Sequence, residues 1–327
     1  MITICVDAMG GDESPELVCE GIAAALDADP ELCVLVAGNA EYVEPFCAAH
    51  SRAKALVTTE VIEMGDHPAE AVRSKRDSSI VRGCAAVRVG EADGFFSAGS
   101  TGAIFAAAAT NVGKIRGIKR PAIASTLPGM SGRETLLLDL CANADCRPEM
   151  IVQFAQMGAA YARTFMGVAE PRVALLSNGT EETKGSEQAL AFHAALAEAV
   201  PEFVGNCEGV DILAGTYDVI VCDGFTGNVA LKSLEGTAKF LVSRIKAAAN
   251  ASLKTKIGAG LMVGALRSIA GELSGDVKGG AVLLGLKAPV FIGHGSTSVD
   301  AIKNGTLAVA AAVRGDLTGR IAETLAK

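Results

Sequence analysis

Short apolar runs alternate with amphipathic ones along most of the chain. Strand-like runs fall at Ile2–Val6, Leu32–Ala37, Ala55–Val61, Gly94–Ser97, Ala122–Thr126, Thr135–Leu140, Arg172–Leu176, Val219–Cys222 and Pro289–Ile292. Between them, apolar positions at helical spacing predict helices over Pro15–Leu26, Ala40–Ala49, Ser78–Val89, Thr101–Val112, Glu149–Thr164, Glu187–Ala199, Val229–Asn250 and Ser298–Val313. Strands that alternate with helices pair in parallel, so the pattern predicts an α/β fold with a doubly wound, mostly parallel sheet. One stretch departs from it. The strands on either side of Pro128-Gly129-Met130-Ser131-Gly132 have no helix between them, which predicts a hairpin and an antiparallel element within the sheet. From Val229 to about Leu273 the pattern is helical with one break near Asn250–Ser252, as in a helical hairpin projecting from the sheet over about 229–275. With no repeat or low-complexity linker, residues 1–327 read as a single α/β domain carrying this excursion.

Composition supports that reading. Half of the 327 residues are apolar, only 4% are aromatic, and there are 37 glycines and no Trp. Such a mixture suits buried parallel strands covered by helices. The net charge of −8 argues against general nucleic-acid affinity. Nine scattered cysteines without a Cys-x-x-Cys pair read as reduced thiols of a cytoplasmic protein. The four histidines, His50, His67, His193 and His294, stand in no zinc-ligand spacing, so no metal is expected. Neither a signal peptide nor a spanning helix is predicted, which restricts any membrane contact to a peripheral one.

The candidate chemistry lies at strand ends, where open α/β sheets bind ligands. Val219-Ile220-Val221-Cys222-Asp223-Gly224-Phe225-Thr226-Gly227-Asn228 is a strand ending at a carboxylate, followed by a glycine-broken polar turn. Asp223 and Thr226 are equally the residues of a helix cap. Asp7, Gly10, Gly11 and Asp12 follow the first strand, and the paired glycines allow close backbone approach to a ligand. Ser97, Ser100 and Thr101 join a strand to an Ala-rich helix whose start suits an anion. Asn178 and Lys184 sit in a glycine-flanked loop, Asn143 follows Asp139, and His294 lies between glycines after the last strand. No P-loop, dinucleotide fingerprint or Gly-x-Ser-x-Gly elbow is present, and no Cys sits beside a candidate base. The chemistry therefore rests on anion binding rather than on a covalent nucleophile. Two basic islands, Arg73/Lys75/Arg76 and Lys114/Arg116/Lys119/Arg120, are either solvated faces or docking sites for an acidic partner or phosphate. The segment from 253 to 267 mixes apolar residues with Lys and Arg, so Ile257, Leu261 and Met262 are candidates for a membrane-surface tip or a dimer contact.

In the order and spacing of these motifs, together with Asn206–Gly209 and Gly279–Gly285, the chain resembles the acyl-acyl-carrier-protein:phosphate acyltransferase (PlsX) family end to end. Ser100 stands where that family usually has Asn, and Cys141 where it usually has Gly. The resemblance implies an isocitrate/isopropylmalate dehydrogenase- and phosphotransacetylase-like fold, a homodimer and peripheral attachment to the inner face of the membrane. It implies transfer of a fatty acyl group from acyl carrier protein to inorganic phosphate, without metal or nucleotide cofactor. The acyl phosphate would then feed a glycerol-3-phosphate acyltransferase in phospholipid synthesis. On that reading Lys184, Asn228, His294 and Asp223 are the catalytic candidates. The alternatives are a coenzyme A-dependent phosphate acetyl- or butyryltransferase, a metal- and NAD-dependent decarboxylating dehydrogenase, or a non-catalytic membrane-attached scaffold.

Overall fold

The computed structural model describes residues 1–252, 254–262, 264, 279–295 and 297–325. Among them, eleven strands form one sheet: β1 Ile2–Asp7, β2 Leu32–Gly38, β3 Ala53–Val57, β4 Gly94–Ser97, β5 Ala122–Pro128, β6 Glu134–Leu138, β7 Val173–Leu176, β8 Phe203–Cys207, β9 Val219–Val221, β10 Ala281–Leu284 and β11 Val290–Ile292. Their order is β3-β2-β1-β4-β11-β10-β5-β6-β9-β7-β8.

Two parallel blocks make up this sheet. β3, β2, β1, β4 and β11 run one way, and β6, β9, β7 and β8 run the other. Between them, β10 is antiparallel to β11 and to β5, and β5 is antiparallel to β6. The β5–β6 hairpin was legible in the sequence, whereas β10 was not, being four apolar residues between glycines. β8 has no counterpart among the predicted strands either. It is an edge strand containing Gly205 at φ +113° and a half-exposed Val204.

Register explains why opposed blocks share one site. Ser97 pairs with Ile292 and Ile292 with Ala281; one step along, Val282 pairs with Ala124, Ala124 with Leu138 and Leu138 with Val221. The carboxyl ends of β4 and β11 therefore arrive within about one residue of the carboxyl ends of β6 and β9, over the middle of β5. A sheet wound in a single sense would put all its carboxyl ends on one edge; here the antiparallel pair brings two edges together.

Helices cover both faces. On one, α1 (Pro15–Ala28), α6 (Pro148–Phe165), α9 (Val299–Arg314) and α10 (Leu317–Leu325) bury residues such as Ile22, Phe154 and Val309. The other face carries α3 (Pro68–Ser74), α4 (Ser79–Arg88), α5 (Thr101–Ala107) and a π-helical turn at Ala108–Val112. α2 (Ala40–Ala49) and α7 (Glu187–Ala199) match the predicted bounds. α8 runs from Gly224 to Asn250, five residues earlier than its apolar periodicity suggested. Asp223 caps its glycine-rich start, and both glycines lie against another loop: a side chain on Gly224 would meet the Asn143 amide at 2.8 Å, and one on Gly227 would collide with the Asp139 carbonyl. After α8 the chain is helical again over 254–262. The predicted return arm of the hairpin beyond 264 lies outside the described residues.

Candidate functional site

A cleft of about 920 Å³ opens over β5, on the face carrying α5 and α8. Its floor is Ile123, Ser125, Thr126, Leu127 and Pro128 of β5, with Ala281 and Ile292 beside them. Thr101 at the start of α5 and His294 after β11 enter from the first block; Leu140 and Cys141 after β6, and Asn228 of α8, enter from the second. α8 forms one wall with Leu231, Lys232, Glu235, Ala238, Lys239, Val242, Ser243 and Lys246.

The loops that deliver these residues are fixed by two buried carboxylates. Asp7 accepts from Ser97 Oγ at 2.6 Å and from the Met9 amide at 3.0 Å, and Ser97 Oγ accepts from the Gly99 amide at 3.0 Å. Burial pushes the Asp7 carboxyl up from its ordinary range, and the Ser79 and Ser97 hydroxyls partly offset that. Gly10 has no side chain because a Cβ there would meet Asp7 Oδ2 at 2.5 Å and the Gly99 amide at 2.7 Å. The Asp12 amide donates to the Gly295 carbonyl at 2.8 Å, tying the loop after β1 to that after β11. In the second block Asp139 is wholly buried and accepts from the Ile123, Ala142 and Asn143 amides and from Asn143 Nδ2. Burial raises its carboxyl too, against those donors.

Several predicted ligand-binding residues thus bind the protein itself. Asp7 and Ser97 hold each other, and Asn143 bridges Asp139, the Pro121 carbonyl and the Gly224 amide. Asp223 and Thr226 form the helix cap: Asp223 accepts from the Thr226 amide and from its Oγ1, each at 2.8 Å. Ser100 is buried as the residue before α5. Gly10, Gly11 and Asp12 shape the loop beside His294. Thr101, Asn228 and His294 come together in the cleft, whereas Asn178 and Lys184 are exposed in the loop after β7, outside its lining.

Lys232, Lys239 and Lys246 line the cleft but drew no notice as site residues in the sequence. Their seven-residue spacing on a predicted helix was the available signal, although it is also that of a solvated face. Lys232 Nζ donates to Glu235 Oε2 at 2.9 Å, and Glu235 Oε1 is buried without a partner among the described residues. Cys141, although solvent touches the residue, is pushed up to about 11 by burial and by Asp139, and Cys146 to about 12 by burial and by the carboxylates of Asp139, Asp223 and Asp145. A raised thiol is a poorer nucleophile, because the thiolate is the reactive form.

Of the basic islands, Lys75 is committed to Asp66 at 2.6 Å and to the Val61 carbonyl, and Lys114 to the Lys119 carbonyl. Arg73, Arg76, Arg116, Lys119 and Arg120 are exposed. Ile257, Leu261 and Met262 are exposed as well, at 61%, 85% and 58%. Among the described residues, no helix is long and apolar enough to cross a membrane.

Solved structures with this fold include a phosphotransacetylase from Streptococcus pyogenes (TM-score 0.61, 18% identity, covering 96% of this chain and 94% of that one). A branched-chain phosphotransacylase from Enterococcus faecalis V583 matches over the full length of both chains (TM-score 0.56, 15% identity). Closer in sequence are proteins named phosphate acyltransferase: one from Lysinibacillus sphaericus, 48% identical over 91% of each chain, and one from Streptococcus equi subsp. zooepidemicus, 40% identical over 100% of this chain and 98% of its own. A family model described as "Fatty acid synthesis protein" matches residues 2–320. The chain belongs to that fatty acid synthesis protein family.

Proposed function

We propose that this protein is a phosphate acyltransferase that moves a fatty acyl group from an acyl-carrier-protein thioester to inorganic phosphate, within the cleft over β5. The observation that carries the reading is the meeting of Thr101, Asn228 and His294 beside a lysine-bearing wall, where the carboxyl ends of the two blocks converge. A phosphate oxygen attacks the thioester carbonyl, the C–S bond breaks, and the departing sulfur leaves as thiolate or takes a proton. Phosphate is already anionic, so the site has to place it and tolerate its charge. The hydroxyl of Thr101 and the Asn228 amide are donors for it and for the oxyanion, one good donor there being worth roughly 3–4 kcal/mol. His294, which lines the cleft, is the proton donor to the thiolate on this reading. The raised thiols support direct transfer rather than an acyl-enzyme.

The same reading makes the exposed cations Arg116, Lys119 and Arg120 a docking face for an acidic carrier. It makes the apolar tip at Ile257, Leu261 and Met262 a membrane-surface contact, and the exposed Phe240, Leu241 and Ile245 of α8 part of a homodimer face. Its product would serve a downstream glycerol-3-phosphate acyltransferase. Incubation of the purified protein with acyl carrier protein thioester and phosphate, without added metal, is expected to give acyl phosphate by mass spectrometry. Acyl phosphate from acyl-coenzyme A alone would favour the coenzyme A-dependent alternative, and binding without turnover would favour a scaffold.

A further inference from the structure

The α8 wall has a polar pattern that the transfer chemistry does not use. Starting from Asn228, it presents Lys232, Glu235, Lys239 and Lys246 into the cleft, with Leu231, Ala238 and Val242 between them. At about 1.5 Å per residue, Glu235 lies about 10 Å along the helix from Asn228, Lys239 about 16 Å and Lys246 about 27 Å. Glu235 Oε1 is a buried acceptor with no donor among the described residues. Lys239 carries a charge on the cleft side and has no ion pair among the described residues.

We propose that this wall is a binding track for the phosphopantetheine arm of the acyl donor, with Lys239 holding its phosphodiester and Glu235 accepting from an amide N–H. The inference rests on the acyl-transfer reading above and gives it a donor site. Between sulfur and phosphorus the arm has roughly thirteen bonds; at about 1.2 Å per bond, the advance of an extended peptide, it spans about 16 Å. With the thioester at Asn228, the phosphodiester falls beside Lys239, not Lys246. The amide N–H farther from sulfur, roughly seven bonds away and hence about 8 Å on the same scale, comes near Glu235. The arm's methylene and gem-dimethyl groups lie on Leu231, Ala238 and Val242. Carrier protein and coenzyme A both present this arm, so the track reads their shared chemistry.

The test compares a fatty acyl thioester of 4′-phosphopantetheine with that of pantetheine, which lacks the phosphate, at saturating inorganic phosphate. The wild-type protein is expected to favour the phosphorylated donor about tenfold in kcat/KM, equivalent to about 1.4 kcal/mol. Lys239→Ala should bring that ratio close to one, Lys239→Arg should restore most of it, and Lys246→Ala should keep it. A ratio preserved in Lys239→Ala, or lost in Lys246→Ala instead, would overturn the track while leaving acyl transfer intact. Failure of the wild type to use any thioester would remove the acyl-transfer reading and the track with it. Parallel assays with acyl carrier protein and acyl-coenzyme A identify the source: a raised KM in Lys239→Ala for one donor alone marks that donor as the one seated on the track.

Discussion

Ser97→Ala probes the link between the first block and the cleft. Ser97 is fully buried, its hydroxyl donates to Asp7 at 2.6 Å, and the same oxygen accepts from the Gly99 amide at 3.0 Å. Alanine removes a hydrogen bond to a buried carboxylate and orphans a buried amide. Each loss costs about 1–3 kcal/mol, so the substitution should destabilise by roughly 2–6 kcal/mol. For a chain of this size the unfolding entropy is about 0.7 kcal/mol/K, from about 2.1 cal/mol/K per residue, which converts that range to a Tm lower by about 3–9 °C. Because Gly99 leads directly into Ser100 and Thr101, the KM for phosphate should rise as well. Differential scanning calorimetry and phosphate saturation curves measure both. A Tm within 1 °C of wild type, with an unchanged phosphate KM, would refute the idea that the Asp7–Ser97 pair holds this loop.

Gly227→Ala should strongly impair folding, because its Cβ would collide with the Asp139 carbonyl; soluble, fully active protein would contradict the described packing of α8 on the β6 loop. Asp7→Asn reports on pH. The folded Asp7 carboxyl is raised above its unfolded value of about 3.9, so its titration adds stability to wild type that is fully present below about pH 4 and disappears as pH rises through the raised value. The stability difference, wild type minus Asp7→Asn, should therefore shrink with rising pH in urea melts, and a difference that grows would contradict the burial. Reversing charge at Arg116, Lys119 and Arg120 should slow association with acyl carrier protein and flatten its salt dependence, as stopped-flow mixing would record; indifference would move the docking face elsewhere.

Much of the architecture was legible because the strands are apolar runs bounded by polar turns and the helices between them keep a 3.6-residue period. β8 and β10 were not, since five residues containing Gly205 and four residues between glycines carry too little periodicity to separate strand from loop. The polar strand-end residues stood out as a set, but their hydrogen-bond partners were not visible. Asp7, Asn143, Asp223 and Thr226 look alike in sequence whether they face a ligand or a neighbouring amide, and the fold turns each toward the protein. Lys184 stood out for its glycine-flanked loop, which left it exposed. Lys232, Lys239 and Lys246 were hidden in an ordinary helical pattern, and their common side became meaningful only once α8 was laid against β5.

The cleft itself is tested most directly by Asn228→Ala, assayed for acyl phosphate formation alongside a thermal melt. Asn228 is exposed to the cleft and makes no described hydrogen bond through its side chain, so the fold should be unaffected. Loss of one well-placed donor predicts kcat/KM lower by about 100-fold or more at an unchanged Tm. Activity within twofold of wild type would place the acyl transfer somewhere other than the junction of the two blocks.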